Sequence, residues 1–279
     1  MLRTTIGHAA NRPDYARTGR DRTMKKRLLL VLDFDGFLVN SYALIRETMA
    51  TFGLDVGDEQ RFRNRRKFLK YFGGGRELLR NVVRFTLPKT RRLRHALTEC
   101  YRERGVVYPE FVPLLNALIA HPAVHCGILS RNFTLEPGPT MRRVLARSGV
   151  HEPDLDFVVP IPVGAHKTDV LSAMRASRYF TAILGADEIG DYRAASALGY
   201  ECLIGSYGFD ARERLVDHGD VPPACIHDSP AALAAALAEA LSPCLDPVDR
   251  SDRPLRYLGS AHTMGARYDS KSAVHAAHE

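Results

Sequence analysis

The chain has 279 residues, 45% of them hydrophobic and 25% charged, with a formal net charge of +7. That is an ordinary globular composition with enough apolar residues for a sizeable core in one large or two smaller domains. No apolar run approaches the ~18 residues of a membrane span, and five scattered cysteines without a Cys-x-x-Cys pair argue against a disulfide framework or structural zinc. The expected setting is a reducing cytoplasm with no membrane partner, and the positive charge admits an anionic small substrate or a polyanion.

Residues 1–25 lack apolar periodicity and predict a disordered leader. The segment 26–40 then opens the folded part: Leu28 to Leu32 are five consecutive aliphatic residues, the pattern of a strand buried on both faces of a parallel sheet. It runs into Asp33-Phe34-Asp35-Gly36. On an extended chain the two carboxylates lie on one side, roughly 6.5–7 Å apart, at the strand end where open α/β sheets bind ligands. Gly36 allows the backbone to turn there. Carboxylates this close need a cation between them or a shared proton. With Mg²⁺ bound, one could attack phosphorus while the other moves a proton. The plain alternative is an acidic turn, since Asp and Gly are common turn residues.

From Ser41 the period changes: Tyr42, Ile45, Met49 and Phe52 mark one face of a helix. Further helices are predicted near 59–72, 76–86 and 90–104, broken by Gly73-Gly74-Gly75 and Pro88, so that 41–107 forms a small all-helical insertion. Between Arg61 and Arg104 there are fifteen Lys/Arg against three acids. This run is compatible with a solvated helical surface or with an electropositive lid that draws in a phosphorylated substrate. Nucleic-acid binding is disfavoured, because the interleaved aromatic platform for single strands is missing. Arg76 follows the glycines at a helix start and could meet an anion, though the glycines also read as a simple linker.

Residues 108–242 return to alternating strands and helices. A helix with Pro109 in its first turn leads to a strand at 124–129 that ends in Ser130-Arg131-Asn132, where a hydroxyl and backbone N–H groups can cradle phosphate oxygens. A helix over 141–148 and a short strand at 157–159 follow. Lys167 then stands in a loop before a helix over 168–177, with Thr168 as its expected N-cap. A strand at 180–184 delivers Asp187 and Asp191, two acids four apart that offer hard oxygen ligands for Mg²⁺. A helix over 192–198, strands at 201–204 and 225–227, and a helix over 231–241 capped by Ser229-Pro230 complete the core. Residues 243–279 predict a disordered tail.

In this order the motifs resemble those of the haloacid-dehalogenase-like (HAD) superfamily, and the stretch from Gly205 through Asp228-Ser229-Pro230 resembles its phosphoglycolate-phosphatase-like branch. The resemblance implies a doubly wound parallel α/β sheet with the helical segment 41–107 as a cap inserted after the first strand. It implies Asp33 as the nucleophile that forms an aspartyl-phosphate and Asp35 as the general acid/base, which dehalogenases of the superfamily lack. Lys167 matches the cation of the third motif. The implied phosphate-binding set is Ser130, Asn132, Lys167, Gly36 and Arg76, and the implied Mg²⁺ set is Asp33, Asp35 through its backbone carbonyl, Asp187 and Asp191. The chain departs from the pattern at Phe37, where Thr or Val is commoner, at Thr168 in place of Pro, and at Ala186 in place of Gly. The expected activity is Mg²⁺-dependent hydrolysis of a small phosphorylated metabolite. A phosphomutase of the same superfamily and a non-catalytic polyanion-binding protein using the basic cap are the alternatives.

Overall fold

The computed structural model describes residues 28–64, 90–162, 165–175 and 181–242. Six strands, β1 (Leu28–Leu32), β2 (Val124–Ser130), β3 (Phe157–Pro160), β4 (Thr181–Ala186), β5 (Glu201–Gly205) and β6 (Ile226–His227), form one sheet in the order β3-β2-β1-β4-β5-β6. Every neighbouring pair is parallel. The aliphatic run of β1 lies at the centre, with Leu28, Leu30 and Leu32 in the core on one face and Leu29 and Val31 in the core on the other. A strand that must be apolar on both sides can take only this interior position.

Leu32 pairs with Ile128 on one side and Gly185 on the other. That register brings the ends of β1, β2 and β4 level, so the residues that follow them emerge at one edge. The chain builds β1, β2 and β3 outward, then crosses back to lay β4 beside β1, and this reversal opens the crevice where such sheets bind ligands.

Helices α1 (Ser41–Thr51), α2 (Glu59–Arg63), α3 (Thr90–Arg104), α4 (Phe111–Ala120), α5 (Pro137–Arg147), α6 (Lys167–Arg175), α7 (Ile189–Ser196), α8 (Arg212–Gly219) and α9 (Pro230–Leu241) are the described helices. Val39 and Val107 form an isolated antiparallel bridge, and Tyr108 N donates to Leu38 O at 2.8 Å. The chain therefore leaves after β1 and returns to the same spot. What is described between these points is helical, and Leu44, Ile45, Met49, Leu97 and Tyr101 of α1 and α3 join the apolar core on one sheet face. Arg76, the three glycines before it and the predicted 76–86 helix lie outside the described residues, as do the leader and the tail.

Helix α1 starts where expected, with Asn40 Oδ1 accepting from Ala43 N, and Ser229 caps α9 in the same way. Other ends differ. Pro109 lies in the turn before α4 rather than in its first turn, because Phe111 N and Val112 N bond to the carbonyls of Tyr108 and Pro109. Helix α5 begins at Pro137, four residues earlier than its apolar pattern, since prolines near a helix start sacrifice no intrahelical bond. Lys167 is itself the first residue of α6, so Thr168 is inside the helix and not its cap. Helix α8 escapes sequence reading because Leu215 and the terminal Gly219 are its only buried residues, too few to show a period.

Candidate active site

The nucleophile candidate extends the central strand. Asp33 N donates to Gly185 O at 2.8 Å, continuing the β1–β4 ladder, while its Oδ1 accepts from Phe34 N at 2.7 Å. Its Oδ2 meets Lys167 Nζ at 2.8 Å, and the same ammonium lies 2.6 Å from Asp191 Oδ2. Lys167 and Asp191 reach this point from the first turns of α6 and α7.

Asp187, fully buried at the end of β4, is walled in by two glycines. A Cβ on Gly36 would fall 2.1 Å from Asp187 Oδ2, and one on Gly208 would fall 2.2 Å from it. Gly36 also has φ +77°, which favours glycine on its own account. The carboxylate is aimed by Phe209 N, which donates to Oδ2 at 2.6 Å. Its Oδ1 is buried without a hydrogen-bond partner among the described residues.

Asp35 is held separately. Its Oδ1 accepts from Ser41 Oγ at 2.7 Å and Tyr101 Oη at 2.6 Å, and Asn132 Nδ2 donates to Oδ2 at 3.0 Å and more weakly to Oδ1 at 3.3 Å. Asn132 Oδ1 in turn accepts from Thr134 N, so its amide orientation is fixed. All the donors on Asp35 are neutral.

These surroundings drive the two neighbouring acids apart. Burial would raise the Asp33 carboxyl, but the Lys167 ammonium, together with hydrogen bonds from Asp191, Lys167 and Ser130, outweighs it and holds the group at about 2. For Asp35 burial wins: the hydrogen bonds from Tyr101, Ser41 and Asn132 pull it down only in part, the like charge of Asp33 adds to the burial, and the group is left at about 6. Burial also pushes Asp187 and Asp191 well above the usual carboxylate range; Asp33 adds to both, and Lys167 only partly relieves Asp191. Lys167 resists the loss of charge that burial favours because Asp191 and Asp33 hold its proton.

Asp33, Asp187 and Asp191 each offer an oxygen within 4.8 Å of the others. With all three ionised, the carboxylates carry two more negative charges than the Lys167 ammonium offsets, and an Asp187 Oδ1 without a partner among the described residues adds an unused ligand atom. Oxygen donors with this residual charge suit a hard divalent cation such as Mg²⁺. Ser130, at the end of β2, lies beside Asp33 and helps hold its carboxyl down. Its buried Oγ nevertheless makes no hydrogen bond of normal geometry among the described residues, which leaves it available to an oxyanion.

The structure thus brings together Asp33, Asp35, Gly36, Ser130, Lys167, Asp187 and Asp191. Asn132, expected at the phosphate, is spent on Asp35, and Gly36 N is engaged with Val39 O at 3.0 Å. Arg131 ties its loop to the one before Lys167 by donating to Ala165 O at 2.8 Å. Ser41, Tyr101 and Gly208 belong to the site and were not anticipated. Ser41 shows only as the first residue of a helix, and nothing in the sequence places Tyr101 or Gly208 beside the acids.

The sheet order is that of the haloacid-dehalogenase-like α/β fold. No protein-family model matches the chain, and no curated protein matches its sequence. Solved structures do match in fold. A haloacid dehalogenase-like family hydrolase from Streptococcus pneumoniae is 19% identical with a TM-score of 0.51, the match covering 76% of this chain and 98% of that one. A predicted phosphoglycolate phosphatase from Haemophilus somnus is 17% identical with a TM-score of 0.52, over 77% and 100% of the two chains. Protein Tyrosine Kinase A of Mycobacterium tuberculosis is 19% identical, also with a TM-score of 0.52, over 78% and 99%. One fold here accommodates proteins named as phosphatase and as kinase, so the reaction has to be argued from the side chains.

Proposed function

We propose that the protein is a Mg²⁺-dependent phosphatase acting on a small phosphorylated metabolite. The observation that carries this is the buried cluster of Asp33, Asp187 and Asp191, in which Asp33 and Asp191 hold the Lys167 ammonium. Asp33, ionised, attacks phosphorus. The bond from phosphorus to the leaving oxygen breaks as Asp35 gives that oxygen its proton, releasing the alcohol and leaving an aspartyl-phosphate. Asp35, now a carboxylate, takes a proton from water while the water oxygen attacks phosphorus. The bond between Asp33 and phosphorus breaks, inorganic phosphate departs, and both side chains are restored.

Lys167 and Ser130 hold phosphoryl oxygens through these steps. The side chains of Asp33, Asp187 and Asp191 and the backbone carbonyl of Asp35 would hold Mg²⁺, which when bound supplies positive charge against the phosphoryl group. The basic run of 61–104 suits an anionic substrate.

The test is phosphate release from a panel of phosphorylated metabolites with Mg²⁺, for wild type and Asp33→Asn. Release by wild type that the variant loses is expected. Equal release by both would remove Asp33 as nucleophile, and isomer formation without release would make the protein a mutase.

A further inference from the structure

Helix α3 carries Arg94, Thr98 and Tyr101 at the i, i+4, i+7 spacing that aligns side chains on one helix face. This stripe docks on the loop after β2. Arg94 donates to the carbonyls of Phe133 at 3.2 Å and Thr134 at 2.8 Å, and Thr98 Oγ1 accepts from Leu135 N at 2.9 Å. The last member reaches past the loop to the site. Tyr101 is 2% exposed, its ring is stacked on Phe34 with centroids 6.4 Å apart, and its hydroxyl donates to Asp35 Oδ1.

The other end of the same inserted segment does likewise, because Ser41, the first residue of α1, donates to the same oxygen. Asn132, in the docked loop, contacts both oxygens. Oδ1 therefore accepts three donors and Oδ2 one. A carboxyl oxygen whose lone pairs are already taken is the poorer place for a proton. Oδ2 is left as the oxygen that can carry one.

We propose that Tyr101, seconded by Ser41, is a positioning residue that occupies Asp35 Oδ1 and so makes Oδ2 the oxygen that exchanges protons with the leaving group. The inference rests on the phosphatase function proposed above. Two features single it out from ordinary burial of a tyrosine. The donors come from both ends of one insertion and converge on one atom, and the helix that brings Tyr101 is fastened to the loop that brings Asn132.

A purely supportive tyrosine would affect all phosphate esters alike, whereas a residue that positions the acid matters only where the leaving group needs a proton. The experiment measures kcat/KM of the full-length protein with Mg²⁺ on phenyl phosphate and on dinitrophenyl phosphate. Wild type, Tyr101→Phe and Ser41→Ala are compared, with Asp33→Asn as the blank. Phenolate leaves poorly unless protonated, while dinitrophenolate leaves unaided. This parameter ends at the first irreversible step, before Asp35 acts a second time on water.

Tyr101→Phe is expected to lose about tenfold on phenyl phosphate and less than about twofold on dinitrophenyl phosphate, a part of the 10²–10⁴ that general acid catalysis supplies. Equal losses on both esters, or no loss on either, would overturn the proposal. Should Tyr101→Phe not fold by circular dichroism, Ser41→Ala carries the same expectation and the same refutation. Wild type that releases phosphate from neither ester above the blank would sink the phosphatase function, and the positioning role with it.

Discussion

Asp35 offers the most direct test of the site's electrostatics, because its burial has a cost that can be measured without a substrate. The carboxyl titrates at about 6 in the fold against 3.8 for the free group. Between those values the folded protein keeps a proton that the unfolded chain has released, so stability falls as pH rises through the window. At about 1.36 kcal/mol for each pH unit, the ionised group costs about 3 kcal/mol once the pH is above the window. Asp35→Asn cannot ionise and should escape this cost. The variant also loses acceptor capacity toward Ser41, Tyr101 and Asn132, but that loss is the same at every pH and cancels when the pH dependence is compared. Unfolding of wild type and variant is to be followed in EDTA at about pH 3.5 and about pH 7.5, below and above the window. The variant should gain about 3 kcal/mol on wild type between the two, which is about 6–12 °C in Tm for a domain of this size. A constant offset between the two proteins at both pH values would refute the claim that desolvation governs Asp35.

Lys167→Met takes the ammonium away from Asp33 and Asp191, and phosphate release is expected to fall by about 10²–10³, as when other fixed partners of a phosphoryl or oxyanion charge are removed; activity within a few-fold of wild type would contradict the role given to Lys167. Gly208→Ala would drive a Cβ to 2.2 Å from Asp187 Oδ2. The displaced carboxylate should weaken Mg²⁺ binding by about tenfold or more and activity by about 10², which isothermal titration and phosphate release would measure. Mg²⁺ added to EDTA-stripped wild type should raise Tm by an amount corresponding to about 2.7 kcal/mol at a hundred times Kd. Asp187→Ala should abolish that response, and a response retained by the variant would place the cation elsewhere.

Much of the candidate site is legible in the sequence because its acids sit at strand ends. An apolar run buried on both faces identifies β1, and the acids directly after it must emerge at the sheet edge, so Asp33 and Asp35 announce themselves. Asp187 is delivered by the same logic at the end of β4. Residues that shape the site from helices and turns carry no such mark. Tyr101 lies in an amphipathic helix among arginines, where a buried tyrosine reads as core, and its hydroxyl acquires a partner only when α3 folds back on the loop after β2. Gly208 reads as a turn residue, because the close approach of Asp187 is a contact between segments distant in sequence. Asn132 was visible, but its partner was not: a strand end predicts a polar residue near the phosphate and does not say that its amide will turn to Asp35.

The contrast between the surroundings of Asp33 and Asp35 shows where sequence spacing stops and tertiary structure takes over. At i and i+2 after the same strand, the two carboxyls are equivalent by every local criterion, and both are buried to a similar extent. Desolvation alone would raise both. They separate because Lys167 brings a formal charge to Asp33, whereas Asp35 is met by two hydroxyls and an amide. Hydrogen bonds from neutral donors stabilise a buried carboxylate less than an ammonium in contact does. The side with the ammonium stays ionised at neutral pH and is fit to attack, and the side with neutral donors keeps a proton within reach of neutral pH and is fit to give it up. Exchanging the partners should exchange the behaviour: a charged residue placed against Asp35, as in Asn132→Lys, would hold it ionised and remove the proton source. That variant is expected to lose activity on phenyl phosphate while retaining Mg²⁺ binding, and full activity in it would show that the charge of its partners does not set the role of Asp35.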